Sequence, residues 1–151
     1  MSHLSLRPPN LDALIETVAA PDHGGVVTFV GTVRNHHRDR QVTGLSYSAY
    51  EPMAESVCEA IKAEAERRWP VRIAVVHRLG DLEIGDTAVA IAAGSAHRDE
   101  AFAACRYVIE EVKRRVPIWK RERFADGTEE WVDPTAQGTG SRESGIGTRS
   151  P

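Results

Sequence analysis

Two lysines in the last third of the sequence are the residues best placed to do chemistry. The chain has 16 arginines but only three lysines, and two of these, Lys113 and Lys120, flank the apolar and proline residues of segment 117–119. A lysine beside an apolar wall loses part of its hydration, which lowers its pKa and suits it to acid–base or imine chemistry. The alternative is that Lys113, like the two arginines after it, only complements the C-terminal dipole of a helix.

A second candidate is the Ser-Ala-His-Arg motif at residues 95–98. It stands between a predicted buried strand and a predicted helix, and the free N–H groups at a helix N-terminus bind anions. His97 and Arg98 would add hydrogen-bond donors and positive charge. Asp99 and Glu100 follow in the first turn, where they stabilise a helix but repel an anion. The motif therefore indicates either a phosphate-type site or a capped helix with solvated side chains.

A third candidate is Arg34, which follows a predicted buried strand and opens a charged segment, residues 34–40. Arginine in this position suits two-point contacts with a phosphate or a carboxylate. His36 and His37 are adjacent, and the sequence has no HxxxH or HExxH pattern, so no metal site is predicted. The alternative for segment 34–40 is a solvated basic loop.

The two cysteines, Cys58 and Cys105, offer little chemistry. Both lie in or beside apolar helical stripes, which is typical of buried structural thiols. The sequence also lacks a G-x-S-x-G nucleophile elbow, a P-loop, and a G-x-G-x-x-G turn after a strand. Serine hydrolase, P-loop nucleotide and dinucleotide chemistry are therefore not indicated.

The elements that must position these residues mix hairpins with crossovers, which predicts an α+β fold with a mixed sheet. Helices are predicted after the caps Asn10 and Ser95 and from Pro52, which suits a first helical turn. Residues 34–40 are predicted as a loop that joins two paired strands, and residues 81–86 as a turn. The predicted strands are residues 3–6, 24–33, 43–50, 71–77, 87–93, 118–124 and 130–132, the last two around an Asp-Gly hairpin signal.

Helical spacing also predicts which side chains of the two longer helices face the core. The second helix should bury Met53, Val57, Ile61 and Ala65. The third should bury Phe102, Cys105, Ile109, Val112 and Val116.

Length and composition bound the class of protein. The 151 residues suit one domain, which we place at residues 1–133, followed by a flexible Gly/Ser/Thr-rich tail at 134–151. A net charge of −3 argues against general nucleic-acid binding, which favours a basic surface. We find neither an apolar run long enough to span a membrane nor a signal-like N-terminus, so a cytoplasmic location is expected.

Taken together, these segments resemble the family of the large, catalytic subunit of molybdopterin synthase. The resemblance rests on GGVVTFVGTVRNH at 24–36, HRLGDLEIGD at 77–86, SAHR at 95–98 and VKRRVPIWKRE at 112–122, followed by Trp131. It covers residues 22–133 in the correct order and spacing. The combination is specific, although each segment alone is not.

The resemblance implies an α/β-hammerhead fold with a mixed, largely antiparallel sheet and about three helices. It implies a homodimer that binds a small ubiquitin-like sulfur-carrier subunit with a C-terminal Gly-Gly thiocarboxylate, giving a heterotetramer. The implied reaction is sulfur transfer from that thiocarboxylate to precursor Z, a cyclic pyranopterin monophosphate, to form molybdopterin. No metal or organic cofactor is implied, and neither nucleic acid nor a membrane is an implied partner.

The resemblance also implies roles for individual residues. Lys113 and Lys120 match the catalytic lysines of the family. The implied substrate-binding residues are Thr32, Val33, Arg34, His97, Arg98, Lys113, Lys120, Arg121 and Glu122.

Two other classes of function remain open at this stage. One is a non-catalytic binding module for a phosphorylated small molecule, in which the lysines serve only as charges. The other is a single-stranded nucleic-acid binder in which Trp119 stacks on bases among basic residues. An activity assay with both subunits would identify the enzyme, and a salt titration of oligonucleotide binding would test the nucleic-acid binder.

Overall fold

The computed structural model describes residues 2–132, and this part of the chain forms three helices and nine strands. The predicted tail, residues 134–151, lies outside the described residues. The helices are α1 (Leu11–Val18), α2 (Glu51–Arg68) and α3 (Arg98–Arg115). The strands are β1 (Leu4–Ser5), β2 (Gly25–Thr32), β3 (His36–His37), β4 (Arg40–Ala49), β5 (Val71–Arg78), β6 (Gly80–Glu83), β7 (Thr87–Ser95), β8 (Ile118–Phe124) and β9 (Glu129–Val132).

The strands form two sheets, and most of their pairings are antiparallel. The first sheet has the order β1-β5-β7-β2, in which only the β1–β5 pair is parallel. In the second sheet β4 pairs with β3, β6 and β8, and β8 also pairs with β9. The α+β prediction with a mixed, largely antiparallel sheet and three helices is therefore confirmed. The hairpin predicted around Asp126-Gly127 is present as β8–β9, with Gly127 at a φ of 88°.

Helices cover both faces of the first sheet. The larger core cluster joins α2 and α3 to β5 and β7 and includes Ile61, Ile91 and Val108, all fully buried. On the opposite face, Leu14 and Val18 of α1 pack on alanines of β5 and β7. Small side chains on β7 let helices approach the sheet closely from both sides, so the strand is buried along almost its whole length.

The predicted core faces of the two longer helices are partly wrong. Ile61, Ala65, Cys105 and Val112 are buried as expected, but Met53 is 51% exposed and Phe102 is 60% exposed. Alanines take part of the core face instead, at positions 54, 101 and 104. The hydropathy stripe favoured bulky side chains, whereas close helix–sheet packing selects small ones.

The predicted pairing of segment 43–50 with segment 24–33 is also wrong. Strand β2 pairs with β7 in the first sheet, and β4 pairs with β8 in the second. The segment predicted as a loop, 34–40, contains β3, which forms a tight hairpin with β4, and the predicted turn 81–86 contains β6. Strands β3 and β6 have only two and four residues, so their sequences are too short to show the alternation typical of a strand. Both form by pairing with β4.

Ser95 is not the cap of the third helix. It is the last residue of β7, it is fully buried, and its hydroxyl donates to the carbonyl oxygen of Pro70 at 3.0 Å. Helix α3 begins at Arg98 after His97, whose side chain makes no capping hydrogen bond. A buried hydroxyl needs a hydrogen-bond partner inside the protein. Here that partner is the backbone carbonyl of Pro70, just before β5, rather than an N–H group of α3.

One ion pair ties the end of α3 to α2. The guanidinium of Arg115 donates to both carboxylate oxygens of Glu64 at 2.7 and 2.9 Å, and the Tyr107 hydroxyl donates to the same carboxylate at 2.7 Å. These hydrogen bonds, first that from Arg115, lower the pKa of Glu64 to about 2. The pair holds in place the helix end that carries Lys113.

We expect Glu64→Gln to lower the thermal midpoint by about 2–4 °C at pH 7, the equivalent of about 1 kcal/mol. The folded pKa of Glu64 lies below the unfolded value, so its stabilisation is present above about pH 4.3 and is lost as pH falls towards 2. The difference from the wild type should therefore shrink in melts between pH 5 and pH 2.5. Glu110→Gln, which breaks an exposed pair with Arg106, is the control and should change little. An equal difference at pH 2.5 and pH 7 would contradict the assignment.

Candidate active site

Strand β8 carries a lysine and a glutamate on its inward face. Side chains alternate along a strand, so Lys120 and Glu122 share the face of the buried residues Ile118 and Phe124. Glu122 is only 4% exposed. Its Oε2 lies 3.6 Å from the Lys120 Nζ, and its Oε1 accepts a hydrogen bond from the His37 ring.

Lys113 and Arg34 bring two further cations to Lys120. Lys113 lies in the last turn of α3, and Arg34 follows the end of β2. The charges of Lys120 and Arg34 both act on Lys113, and the charge of Arg34 also acts on Lys120. The structure therefore brings together four predicted site residues from three separate stretches of the chain: Arg34 after β2, Lys113 on α3, and Lys120 and Glu122 on β8.

Both lysines hold their protons less firmly than an ordinary lysine. Desolvation lowers the pKa of Lys113, and the neighbouring charges of Lys120 and Arg34 lower it further. The residue nevertheless remains exposed at the surface. Desolvation also lowers the pKa of Lys120, and Arg34 adds to this, while the charge and hydrogen bond of Glu122 oppose it. Burial alone would raise the pKa of Glu122, but the His37 hydrogen bond and the Lys120 charge bring it below its ordinary value.

Two neutral aromatic side chains border these cations. Tyr47 is the cross-strand partner of Lys120, and its ring meets the His77 ring edge to face at 4.8 Å. Burial raises the pKa of Tyr47 to about 12, with a further contribution from Glu122. Burial lowers the pKa of His77 to about 4, and the charge of Lys113 adds to the effect. Both groups are therefore uncharged at neutral pH.

The arrangement can bind an anion and move a proton. Three cations face one carboxylate, which leaves an excess of positive charge in a partly desolvated place where electrostatic interactions are strong. Lysines with lowered pKa values can serve as general acids or bases near neutral pH. These four residues, Arg34, Lys113, Lys120 and Glu122, are called the lysine cluster below.

His97 and Arg98 lie elsewhere in the same chain. With Gly24, Ala96 and Asp99 they line an open cleft of about 380 Å³ at the N-terminus of α3. Lys113 is at the opposite end of that helix, about 22 Å away at 1.5 Å per residue. Within one chain, the structure therefore does not unite the predicted anion-binding residues Arg34, His97 and Arg98.

The remaining predicted site residues take separate places. Thr32 is exposed at the end of β2, where the pairing with β7 is irregular. Val33 is buried with Leu45 and Leu82, and both its backbone N–H and its carbonyl are engaged by segment 85–86. Arg121 lies on the outward face of β8, over the Trp131 ring at 5.3 Å.

The apolar wall inferred from segment 117–119 is only partly present. Ile118 is buried on the face of Lys120, but Trp119 points to the opposite face by strand alternation and is 37% exposed. The aromatic residue in register with Lys120 is Tyr47 on β4. Sequence reasoning missed Tyr47, His77 and the role of His37, because their proximity depends on strand pairings that no local pattern records.

The cysteines and the metal-binding side chains form no further candidate site in the described part of the chain. Cys58 and Cys105 are buried as predicted, and burial raises their pKa values to about 12 and about 11. Among residues 2–132, no three metal-binding side chains come close enough to share an ion. No helix in that range has the length and apolar character needed to cross a membrane.

Comparison with known proteins finds a matching family model, relatives of similar sequence and structures of similar fold. Residues 4–115 fit the family model described as MoaE protein. The molybdopterin synthase catalytic subunit of Synechococcus elongatus is 46% identical over 131 residues, covering 85% of this chain and 79% of that relative. The molybdopterin synthase structure from Staphylococcus aureus aligns with a TM-score of 0.82 at 38% identity, over 87% of this chain and 96% of the other. A Helicobacter pylori complex of subunits 1 and 2 of molybdopterin-converting factor aligns with a TM-score of 0.70 at 25% identity, over 89% and 90% of the two chains.

The fold and the site define an α+β domain whose clustered lysine and arginine side chains suit an anionic substrate. The family match spans most of the described chain, and the relatives are covered over most of their own length. The chain belongs to the MoaE family.

Proposed function

We propose that this chain is the catalytic subunit of a molybdopterin synthase, a sulfurtransferase of molybdenum cofactor biosynthesis. In this proposal it transfers sulfur from the thiocarboxylated C-terminus of a small carrier subunit to precursor Z. The observation that carries the proposal is the lysine cluster, in which Lys113 and Lys120 meet Arg34 beside a buried carboxylate. The relatives' name, molybdopterin synthase catalytic subunit, supports the same reaction.

The chemistry of the cluster suits this reaction. Both the thiocarboxylate and the substrate phosphate are anions, so each gains from the excess positive charge. The incoming sulfur is the nucleophile, and the chain's own thiols are not needed; Cys58 and Cys105 are buried and hold their protons firmly. Lys113 and Lys120 would stabilise developing negative charge and transfer protons. No metal or organic cofactor enters the proposal.

The direct test is reconstitution. The purified chain is mixed with a thiocarboxylated small subunit and precursor Z, and molybdopterin is measured with time. Product formation that requires all three components supports the proposal. Binding of precursor Z without any product would favour the alternative, a non-catalytic binding module for a phosphorylated small molecule.

The edge of the first sheet supports a homodimer as part of the proposal. Strand β2 is the outermost strand there, so its outer row of backbone groups has no strand partner among residues 2–132. Val26, Phe29 and Val30 on this strand are each more than a third exposed. Exposed apolar edge strands are unusual unless another chain covers them. We propose that a second copy of the chain pairs with β2.

Such a dimer would complete the site. Gly25, at the start of β2, lies beside Arg98, since a Cβ there would be 3.5 Å from the Arg98 Cα. Arg34 follows the other end of the same strand. Antiparallel pairing of β2 with its copy would place the start of one strand beside the end of the other. His97 and Arg98 of one chain would then join the lysine cluster of its partner and complete the phosphate site.

Mixed dimers test this shared site. We expect co-expressed Arg98→Ala and Lys113→Ala chains to recover roughly a quarter of wild-type activity, because half of the dimers are mixed and each has one intact site. Each variant alone should show little molybdopterin formation. The matched control mixes Lys113→Ala with Lys120→Ala, which affect the same cluster and should give no recovery. If the first mixture also stays inactive, each site is built within a single chain.

The partners and the location complete the proposal. The Helicobacter pylori complex supports a small-subunit partner. Two catalytic chains and two small subunits would form a heterotetramer. A cytoplasmic location is included, and the two free thiols Cys58 and Cys105 suit its reducing conditions.

A further inference from the structure

His37 reaches the lysine cluster through the carboxylate of Glu122. The His37 Nδ1 donates a hydrogen bond to Glu122 Oε1, while Oε2 of the same carboxylate faces Lys120 Nζ at 3.6 Å. Glu122 is almost fully buried, whereas the His37 side chain is 19% exposed. Each oxygen of one buried carboxylate thus has its own partner, and the His37 and Lys120 side chains both keep some access to solvent.

The position of His37 is set by a tight hairpin. Strand β3 pairs with β4 through His36 opposite Gln41 and His37 opposite Arg40. The two-residue turn between the strands has Arg38 at a φ of 57°, in the left-handed region that tight turns use. Strand β4 in turn pairs with β8, with Leu45 opposite Glu122. His37 and Glu122 are therefore held by successive pairings to the same strand.

The charge state of the imidazole must affect Lys120. When His37 is neutral, its N–H donates to Glu122 and the full negative charge of the carboxylate remains available to Lys120. When His37 gains a proton, two cations share that one carboxylate, and the negative charge of Glu122 stabilises the ammonium of Lys120 less. Lys120 then releases its proton more readily. By thermodynamic linkage, a proton on Lys120 disfavours a proton on His37 by the same free energy.

Other charged and titratable groups face this chain of contacts from neighbouring elements. They are Arg34 after β2, Lys113 on α3, Tyr47 on β4 and His77 on β5. Tyr47 and His77 stay neutral near pH 7. Histidine is the side-chain type suited to gain or lose a proton in the physiological range, and His37 is the histidine that contacts Glu122.

We propose that His37 is a positioning residue that controls the proton on Lys120 through the buried carboxylate of Glu122. The imidazole does not touch the reacting atoms. It fixes the orientation of Glu122 by its hydrogen bond and changes the charge that Lys120 experiences. The importance of this control for sulfur transfer rests on the proposed function; the control itself does not.

The chain's three lysines allow a direct measurement. A trace of acylating reagent modifies only unprotonated amines, and mass spectrometry then gives the labelling of Lys120 relative to Lys62. Lys62 lies on α2 in a surface pair with Glu66, so it provides an internal reference. In the wild type we expect the Lys120-to-Lys62 ratio to rise by about tenfold between about pH 8 and about pH 5, because a proton on His37 makes Lys120 release its own proton more readily.

His37→Gln keeps a hydrogen-bond donor but cannot titrate, so its ratio should stay flat with pH. His36→Gln, on the same short strand but with its ring hydrogen-bonded to Asn35 rather than to Glu122, should behave as the wild type. If His37→Gln does not fold, His37→Asn serves as the second variant. A flat ratio in the wild type, or an unchanged pH response in the His37 variant, would overturn the proposal.

Activity gives the second readout. The pH profile of molybdopterin formation should change in His37→Gln, which cannot bind a proton at this position, but should match the wild type in His36→Gln. The labelling experiment needs no substrate, so it judges His37 even if the wild type forms no product. Absence of product in the wild type would count against the proposed function alone.

Discussion

Lys113→Ala and Lys120→Ala are each expected to reduce molybdopterin formation by about 10²–10⁴-fold, the range for loss of a general acid or base. Neither should lower the thermal midpoint appreciably. Desolvation and neighbouring cations lower the pKa of both lysines, which means that folding disfavours their charged forms. That penalty is present below the folded pKa and disappears above the ordinary value of about 10.4, so removing either ammonium relieves it at neutral pH.

Two further variants sharpen this test. Lys120→Arg should not restore activity, because a guanidinium keeps its proton at working pH. Lys62→Ala is the matched control, since Lys62 lies on the surface of α2 and should leave both activity and stability unchanged. Rates are measured in the reconstituted assay and midpoints by calorimetry. Near-normal turnover in either cluster variant would remove that lysine from the mechanism, and a large fall in its midpoint would give it a structural role instead.

Gly94→Ala is expected to destabilise the fold by about 1–3 kcal/mol or more, as overpacking of a rigid core does. A Cβ at this position on β7 would lie 2.3 Å from the carbonyl oxygen of Val18 and 3.0 Å from the His23 Nδ1. Both neighbours belong to the end of α1 and the turn after it, and His23 bonds that same carbonyl at 2.8 Å. Neither the strand nor the helix can move without separating α1 from the sheet.

The control for this variant is Gly25→Ala on the edge strand. There the atoms nearest to the new Cβ would be those of Arg98 at 3.5–3.7 Å, which is ordinary van der Waals contact. We expect a change below about 1 kcal/mol. Denaturant melts of the two variants give the comparison. Equal stability of Gly94→Ala and the wild type would show that α1 can shift away from β7 freely.

Local patterns predicted the elements well and their partners poorly. Residues 71–77 and 87–93 are rich in β-branched and small apolar side chains, and both form strands at those positions. Which strands pair depends on contacts between residues far apart in the sequence. Local patterns therefore did not predict that β4 pairs with β8 rather than with β2. The polar strands β3 and β6 have too few residues to show a period, and only the adjacent β4 makes them strands.

The same distinction between local patterns and distant contacts applies to the candidate site. Lysine scarcity and the family resemblance pointed to Lys113 and Lys120, and strand alternation alone predicts that Lys120 and Glu122 share a face. The neighbours Tyr47 and His77 could not be predicted, because their approach depends on the β4–β8 register and on the packing of β5 against the second sheet. The contact between His37 and Glu122 could not be predicted either, because nothing in the local sequence links the two residues.

The open edge of β2 has a consequence for how the protein is made. Among residues 2–132, its outer backbone groups have no strand partner, and with Val26, Phe29 and Val30 they form a template that an extended chain can pair with. If a second copy covers this edge, as proposed above, a newly made copy would keep the template until the two meet, and the rate of that encounter would rise with the number of copies present. The yield of usable protein would then depend on abundance as well as on the stability of the single chain.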